Sequence, residues 1–455
     1  MTMIIRSLIR FSKRHLHTIV SREIIKPSSP TPSHLKTYNL SVADQFISNT
    51  YMPMIAFFPK NTRNQLTSHD QTLDLKNSLS QTLTKYYPFA GRFEKVAPSF
   101  VDCNDNGAEF LEASIDSTLS DFLQNSNHED LDQFFPFGLV YCKSKNLEIG
   151  ISDEVIPLAV QVNYFECGGV AVAVSMSHKI ADASSVVHFM NDWAKITRFS
   201  FDNQKQESLV DPKFMSFEYM NMNCTGLSHD LESNDCVTRS FMFPNSMINE
   251  IKSNLVKSMA EESGEPIINP ISRVEVLNWH LYKCSMKAAI ENNSGLFKPS
   301  GVNHLINLRG KMMEPLHEKS IGNFVLAMEI LTKKESEMRP YLFISELKRK
   351  KVQYHGFRNI ETVLGLYSHA ALELDEEQKR FDDMYICSST CRFSAYEINF
   401  GWGKPVKVTF AGNIRKNSFI LMDTPKSDGI EALVCLGKQD MKIIQSDHEL
   451  LAFPF

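Results

Sequence analysis

His178 and Asp182, separated by Lys179-Ile180-Ala181, are the residues whose types and spacing point most directly to chemistry. An imidazole with a pKa of about 6.5 can take up a proton at neutral pH, and a nearby carboxylate can fix the turn that carries it. The flanking segments must hold that imidazole still. Upstream, Val170-Ala171-Val172-Ala173-Val174-Ser175-Met176-Ser177 alternates large apolar with small residues, the two-residue period of a strand with one closely packed face. Downstream, Val186, Val187, Met190, Trp193 and Ala194 share one helix face, with Asp182, Ser184 or Ser185 available as N-cap. The histidine therefore closes a strand and the aspartate opens a helix, where a rigid scaffold can present a side chain over a cleft. A purely structural histidine fits the same place, so other stretches must decide between the two.

Tyr87-Pro88-Phe89-Ala90-Gly91-Arg92 and Asn399-Phe400-Gly401-Trp402-Gly403-Lys404-Pro405 are such stretches. With them the chain resembles the BAHD acyltransferases, CoA-dependent enzymes of plant specialised metabolism whose signatures are His-x-x-x-Asp and Asp-Phe-Gly-Trp-Gly. Asn307-Leu308-Arg309 and Ile321-Gly322-Asn323 also match, and the likeness runs nearly end to end. Lys26 through Pro32, Leu40-Ser41 and Asp44-Gln45 look most like the vinorine synthase-like, alkaloid-acylating branch.

The resemblance implies an α/β fold of two similar chloramphenicol-acetyltransferase-like domains, each a mixed sheet flanked by helices, with a channel between them and His178 at its middle. It implies transfer of an acetyl group from acetyl-CoA to a hydroxyl of a small-molecule acceptor, an alkaloid. CoA thioester is a co-substrate; no bound cofactor and no metal are expected. Malonyl-CoA is the alternative donor, because Arg415 and Lys416 follow the second signature and could meet a carboxylate. An alcohol is a poor nucleophile at neutral pH, so His178 is expected to take its proton during attack. No Gly-x-Ser-x-Gly elbow stands out, which favours direct transfer in a ternary complex over a covalent enzyme intermediate.

Other roles follow by matching positions. Asp182 is expected to point away from the cleft and pin the turn through an arginine. Within Ser388-Ser389-Thr390-Cys391-Arg392-Phe393, Ser388 stands where the family has Thr and could donate to an oxyanion, whereas Thr390 replaces the usual Trp and would reshape the acceptor pocket. Asn399 replaces the signature Asp, and Arg309 is its expected partner; Phe400, Gly401, Trp402 and Gly403 are expected to be structural. The altered signature leaves room for a binding protein on the same fold. Transfer from a carrier-bound donor is a further alternative, though such enzymes usually place a second His where this chain has Ser177.

A length of 455 residues suits two domains. The boundaries expected are an N-terminal extension over 1–18, a first domain over 19–200 bearing the histidine, a crossover over 201–235, and a second domain over 236–455. The crossover rests on a polar run at 202–207 and a stretch without period up to Asp235. Elsewhere, Leu75, Leu79 and Leu83 predict a helix that Pro88 stops, Cys167-Gly168-Gly169 predicts a hairpin, and Ser272 with Glu275 reads as a capping box.

A net charge of −5, a pI near 6.3 and scattered basic residues exclude a nucleic-acid partner. Nine widely spaced cysteines without a Cys-x-x-Cys pair read as a reduced intracellular chain rather than a disulfide framework or zinc site. No apolar run is long enough to span a membrane. Met1 to Arg22 lacks acidic residues but carries five basic ones, Arg6, Arg10, Lys13, Arg14 and Arg22, which is transit-peptide composition. The alternative is an unstructured extension on a cytoplasmic monomer, the location and state expected.

Overall fold

The structure, a computed structural model, describes residues 17–60, 67–94, 98–140, 154–199, 211–215, 217, 235–373 and 383–446. Most of the expected extension (1–18) and crossover (201–235) lies outside them. In chain order the main elements are β1 (His17–Ile25), β2 (Tyr51–Phe58), α1 (Ser68–Lys85), β3 (Ala108–Ile115), β4 (Leu158–Phe165), β5 (Val170–Ser177) and α2 (Ala183–Phe199). There follow β6 (Cys236–Pro244), α3 (Asn245–Ser263), α4 (Arg273–Asn292), β7 (Ser300–Asn307), β8 (Val325–Thr332), α5 (Pro340–His355) and α6 (Ile360–Glu373). The chain closes with β9 (Asp383–Ser389), β10 (Lys407–Phe410), β11 (Ser418–Asp423), β12 (Gly429–Gly437) and α7 (Lys438–Ser446).

Local chemistry sets the ends of these elements. Thr67 and Asp70 form a capping box at α1, and Ser272 and Glu275 form the expected one at α4, each satisfying two backbone donors that a helix start leaves open. Gly168 adopts φ +82° in the turn between β4 and β5, a backbone state open to glycine at no steric cost. The two strands pair antiparallel across that turn, as the glycines predict.

Two six-stranded mixed sheets result, in the orders β1-β3-β4-β5-β2-β10 and β6-β12-β11-β9-β7-β8. The first carries α1 and α2 on one face, where Leu75, Leu79 and Leu83 meet Phe189, Met190 and Trp193. The second is backed by α3, α4, α5 and α7 around Leu277, Tyr282 and Phe343. Strand alternation then decides what meets between the sheets. On β11, Phe419 and Leu421 enter the second core, while Ile420 and Met422 face the other way and join Met52 and Met54 of β2 in the first. One strand also departs from the expected division of the chain. β10, within the stretch expected to build the second domain, pairs Phe410 with Met54 and completes the first sheet.

Candidate active site

Strand β5 ends at Ser177, and its last hydrogen bonds hand the chain into the turn that holds His178. The His178 N–H donates to the Thr50 carbonyl at 2.8 Å, and the His178 carbonyl accepts from Asn323 Nδ2 at 2.7 Å. Asn323 is itself held by the buried Asp44 carboxylate, which accepts from its backbone N–H at 3.1 Å and its Nδ2 at 2.8 Å. Residues from two distant parts of the chain, 44–50 and 323, thus clamp the backbone of one residue on both sides. Burial pushes the His178 pKa below its ordinary value, against the opposing pull of its own backbone bond, of Asp182 and of Asn323. The ring is therefore neutral at physiological pH, the state in which it can accept a proton.

Asp182 binds an arginine, but it lines the cavity beside His178 and does not point away from it as expected. Its Oδ1 accepts from the Ser185 N–H at 2.9 Å, the N-cap bond of α2. Arg309 donates to both oxygens, at 2.7 Å and 3.1 Å, and the Phe324 N–H adds a bond at 3.2 Å. Burial alone would raise this carboxyl's pKa, but Arg309 and Ser185 outweigh it and hold the group below the usual range. The carboxylate is fully engaged in joining the two sheets' segments, so it orients the turn and has no lone pair to spare for a proton relay.

That bidentate pair corrects one expectation: Arg309 is the partner of Asp182, not of Asn399. The Asn399 Oδ1 accepts instead from the N–H groups of Gly401 and Gly403, at 2.9 Å and 3.1 Å, so its turn closes on itself. Both glycines have φ near +100° (97° and 99°). Phe400 and Trp402 stack at 5.3 Å and meet Phe58 and Trp193 edge-on, which seats the turn in the first core just before β10.

A cavity of about 340 Å³ opens beside His178. Met52, Leu305, Ile306, Phe393 and Ile420 make it apolar, Ser388 and Ser389 are in its wall, and Arg415 brings a cation into it. Among the described residues neither the Ser388 hydroxyl nor the Arg415 guanidinium has a hydrogen-bond partner. Thr390 is a second correction. Its N–H bonds the Leu421 carbonyl at 2.8 Å, and it lines a separate cavity of about 420 Å³. The strand alternation that turns Ser388 inward ends with β9 at Ser389, so counting along the motif does not carry Thr390 into the same space.

On the other side of Ser184, Asn307 and Phe393, which line both spaces, lies a wider opening of about 710 Å³. Lys195, Arg198, Lys311, Lys319 and Arg392 give it a cationic wall. Lys319 is paired with Asp192 at 2.6 Å, whereas Arg198, Lys311 and Arg392 make no ion pair among the described residues. Such a wall suits phosphate groups. Among the described residues no cluster of His, Cys, Asp or Glu could hold a metal ion, and no helix is long and apolar enough to cross a membrane.

Sequence reasoning missed the roles of Asp44, Asn323 and Thr50, although Asp44 and Asn323 sit in stretches it singled out. Their distance along the chain from His178 gave no signal; only the assembled turn shows that they converge on it.

Comparison with known proteins agrees with this geometry. The model of the Transferase family matches residues 16–451. A diaboline synthase from a Strychnos species is 38% identical over 443 residues, covering 96% of this chain and 91% of the relative. A 17,18-epoxy-17-hydroxycur-19-ene N-malonyltransferase of Strychnos nux-vomica is 38% identical, with 96% and 90% covered. Among solved structures, vinorine synthase superposes with a TM-score of 0.78 at 28% identity, covering 96% of this chain and 98% of that one.

Proposed function

The chain belongs to the BAHD acyltransferase family, and on that premise we propose that it moves an acetyl group from acetyl-CoA to a hydroxyl of an alkaloid acceptor, by general-base catalysis in a ternary complex. One observation carries the reading: a buried, neutral imidazole stands in an apolar cavity that shares its wall with a cationic opening. The CoA phosphates occupy the cationic side and the acceptor occupies the apolar side.

As the acceptor oxygen attacks the thioester carbonyl, His178 takes the hydroxyl proton. The new C–O bond leaves a tetrahedral oxyanion, for which the Ser388 hydroxyl is the candidate donor; such a donor is typically worth about 3–4 kcal/mol of barrier. Collapse breaks the C–S bond, and the departing thiolate recovers the proton from His178. A hydroxyl acceptor fits a base placed this way, because an alcohol needs proton removal during attack whereas a neutral amine is already nucleophilic.

A malonyl donor is the second reading, favoured by Arg415 in the cavity wall, where a free guanidinium could meet the second carboxylate. The enzyme acts as a cytoplasmic monomer, with 19–200 and 236–455 as its two domains apart from the exchanged strand β10. The test is purified protein with acetyl- and malonyl-CoA and a panel of polycyclic alcohols and amines, following free thiol. Acceptor-dependent thiol release is expected, faster with alcohols and acetyl-CoA. Release with no donor and acceptor pair would overturn the proposal, and a malonyl preference that Arg415→Ala abolishes would establish the second reading.

A further inference from the structure

Behind the wall of the cavity beside His178 two thiols meet. On β6, Cys236 stands opposite Gly437 of β12, and Cys435 lies two residues before that glycine, so the two cysteines are diagonal neighbours on one face. That face is the apolar layer between the sheets, shared with Ile414 and Ile420. Cys435 Sγ donates to the Ile414 carbonyl at 3.0 Å, and Cys435 stands opposite Ser418 of β11. Ile414 and Ser418 both line the cavity. The start of β6 holds the same segment: the Cys236 carbonyl accepts from Asn413 Nδ2 at 3.4 Å, and Thr238 Oγ1 donates to Asn413 Oδ1 at 3.2 Å.

The Cys435 S–H also reaches the Cys236 sulfur and, with the Lys416 cation nearby, holds the Cys236 thiol down at about 7, whereas burial pushes Cys103 up to about 12 and Cys391 up to about 11. Of these three, Cys236 is the one that carries a thiolate near neutral pH, and a second thiol is in contact with it. Cys236 keeps 4% exposure and Cys435 0%, so an oxidant meets Cys236 first. We infer that Cys236 and Cys435 form an oxidisable pair, which hydrogen peroxide closes into a disulfide that reshapes the wall of the cavity beside His178. The Cys236 thiolate attacks one peroxide oxygen, breaking the O–O bond and leaving a sulfenic acid and hydroxide. Cys435 then attacks the sulfenic sulfur: the S–S bond forms, the S–O bond breaks, and the thiol proton leaves with the hydroxyl as water. Two electrons pass from the two sulfurs to the peroxide. Diagonal neighbours stand about 7–8 Å apart, beyond the usual disulfide span of about 5.5–6 Å, so closure draws in Cys236, the first residue of β6. It also removes the S–H bonded to the Ile414 carbonyl, and so loosens the segment that brings Ile414 and Arg415 into the cavity.

Mass spectrometry of the full-length protein after peroxide treatment, alkylation and digestion tests it. A Cys236–Cys435 cross-link that dithiothreitol reverses is expected, and amide hydrogen exchange across 411–417 should be about tenfold faster in the oxidised form. In Cys435→Ser, whose hydroxyl can keep the bond to Ile414, no cross-link should form and the Cys236 sulfenic acid should persist for capture by dimedone. Exchange across 411–417 in that variant should stay within about twofold of the reduced protein, before and after peroxide. Cys236→Ser should likewise abolish the link, and unchanged melting temperatures would show that both variants fold. Peroxide that oxidises Cys236 without linking it to Cys435, or that leaves Cys236 reduced while Cys103 or Cys391 reacts, overturns the pair. A cross-link that leaves exchange across 411–417 unchanged overturns its hold on the cavity wall. None of these readouts requires turnover, so their failure and the failure of the acyl-transfer reading are separate results.

Discussion

The turns at 178–182 and 399–405 are the two signature stretches of this chain, and they use similar polar side chains for opposite ends. Asp182 reaches across to Arg309 and Phe324, far along the sequence, and so ties the His178 turn to the other half of the molecule. Asn399 reaches only to Gly401 and Gly403. The difference follows from what each must hold. The proposed base has to be fixed relative to surfaces built by both halves, whereas the second turn has only to deliver β10 to the edge of the first sheet. A charged carboxylate is warranted where a buried guanidinium faces it; two backbone N–H groups are met as well by a neutral amide.

Replacing the base should have the largest effect. His178→Ala should lower kcat by about 10²–10⁴-fold with CoA binding little changed. Near-normal turnover would remove the first turn's claim to chemistry and leave two structural turns.

Next comes the Asp182–Arg309 pair, whose side chains are both 4% exposed. Removing one partner of such a pair strands a buried charge, so Asp182→Ala should cost about 3–5 kcal/mol in denaturant unfolding, with activity falling alongside. Asn399→Ala should cost far less, about 1 kcal/mol, because only hydrogen bonds within one turn are lost. Equal losses for the two variants would erase the contrast between a tie across halves and a local closure.

The pH profile sharpens the same contrast. The His178 pKa in the folded protein lies below the unfolded value of about 6.5, so the neutral ring is favoured. The associated stability is fully present above that value and is lost as pH falls below it. Turnover should therefore stay flat from pH 8 down to about 6.5 and decline only under more acidic conditions. Asp182, depressed below the ordinary carboxylate value, should withdraw its stabilisation only below about pH 4. A rate already falling between pH 8 and 7 would contradict a buried, neutral base.

The smallest effect is expected at Asn399→Asp. A carboxylate would accept the same two N–H bonds with charge assistance, and a rise in melting temperature of about 1–2 °C should follow with donor preference unchanged. A fall in melting temperature would mean that the turn tolerates only a neutral acceptor.

Periodicity and turn chemistry made much of the fold legible. The alternation in 170–177, the helix face from Val186 to Ala194 and the glycines at 168 and 169 each dictate a local conformation that the structure adopts, because strand and helix periods and positive φ are properties of neighbouring residues. The resemblance added the two-sheet plan and an arginine partner for Asp182.

What the sequence by itself determined ends with such local order and with an imidazole placed between a strand and a helix. Tertiary structure alone decided that Arg309 serves Asp182 rather than Asn399, that Thr390 leaves the wall of the cavity beside His178, that β10 crosses to the first sheet, and that Asp44, Asn323 and Thr50 meet at His178. Each of these depends on which side chains two sheets bring together when they close on their shared apolar faces. Burial then sets the protonation state of the imidazole, and burial is a property of the assembled surfaces, not of the order of residues along the chain.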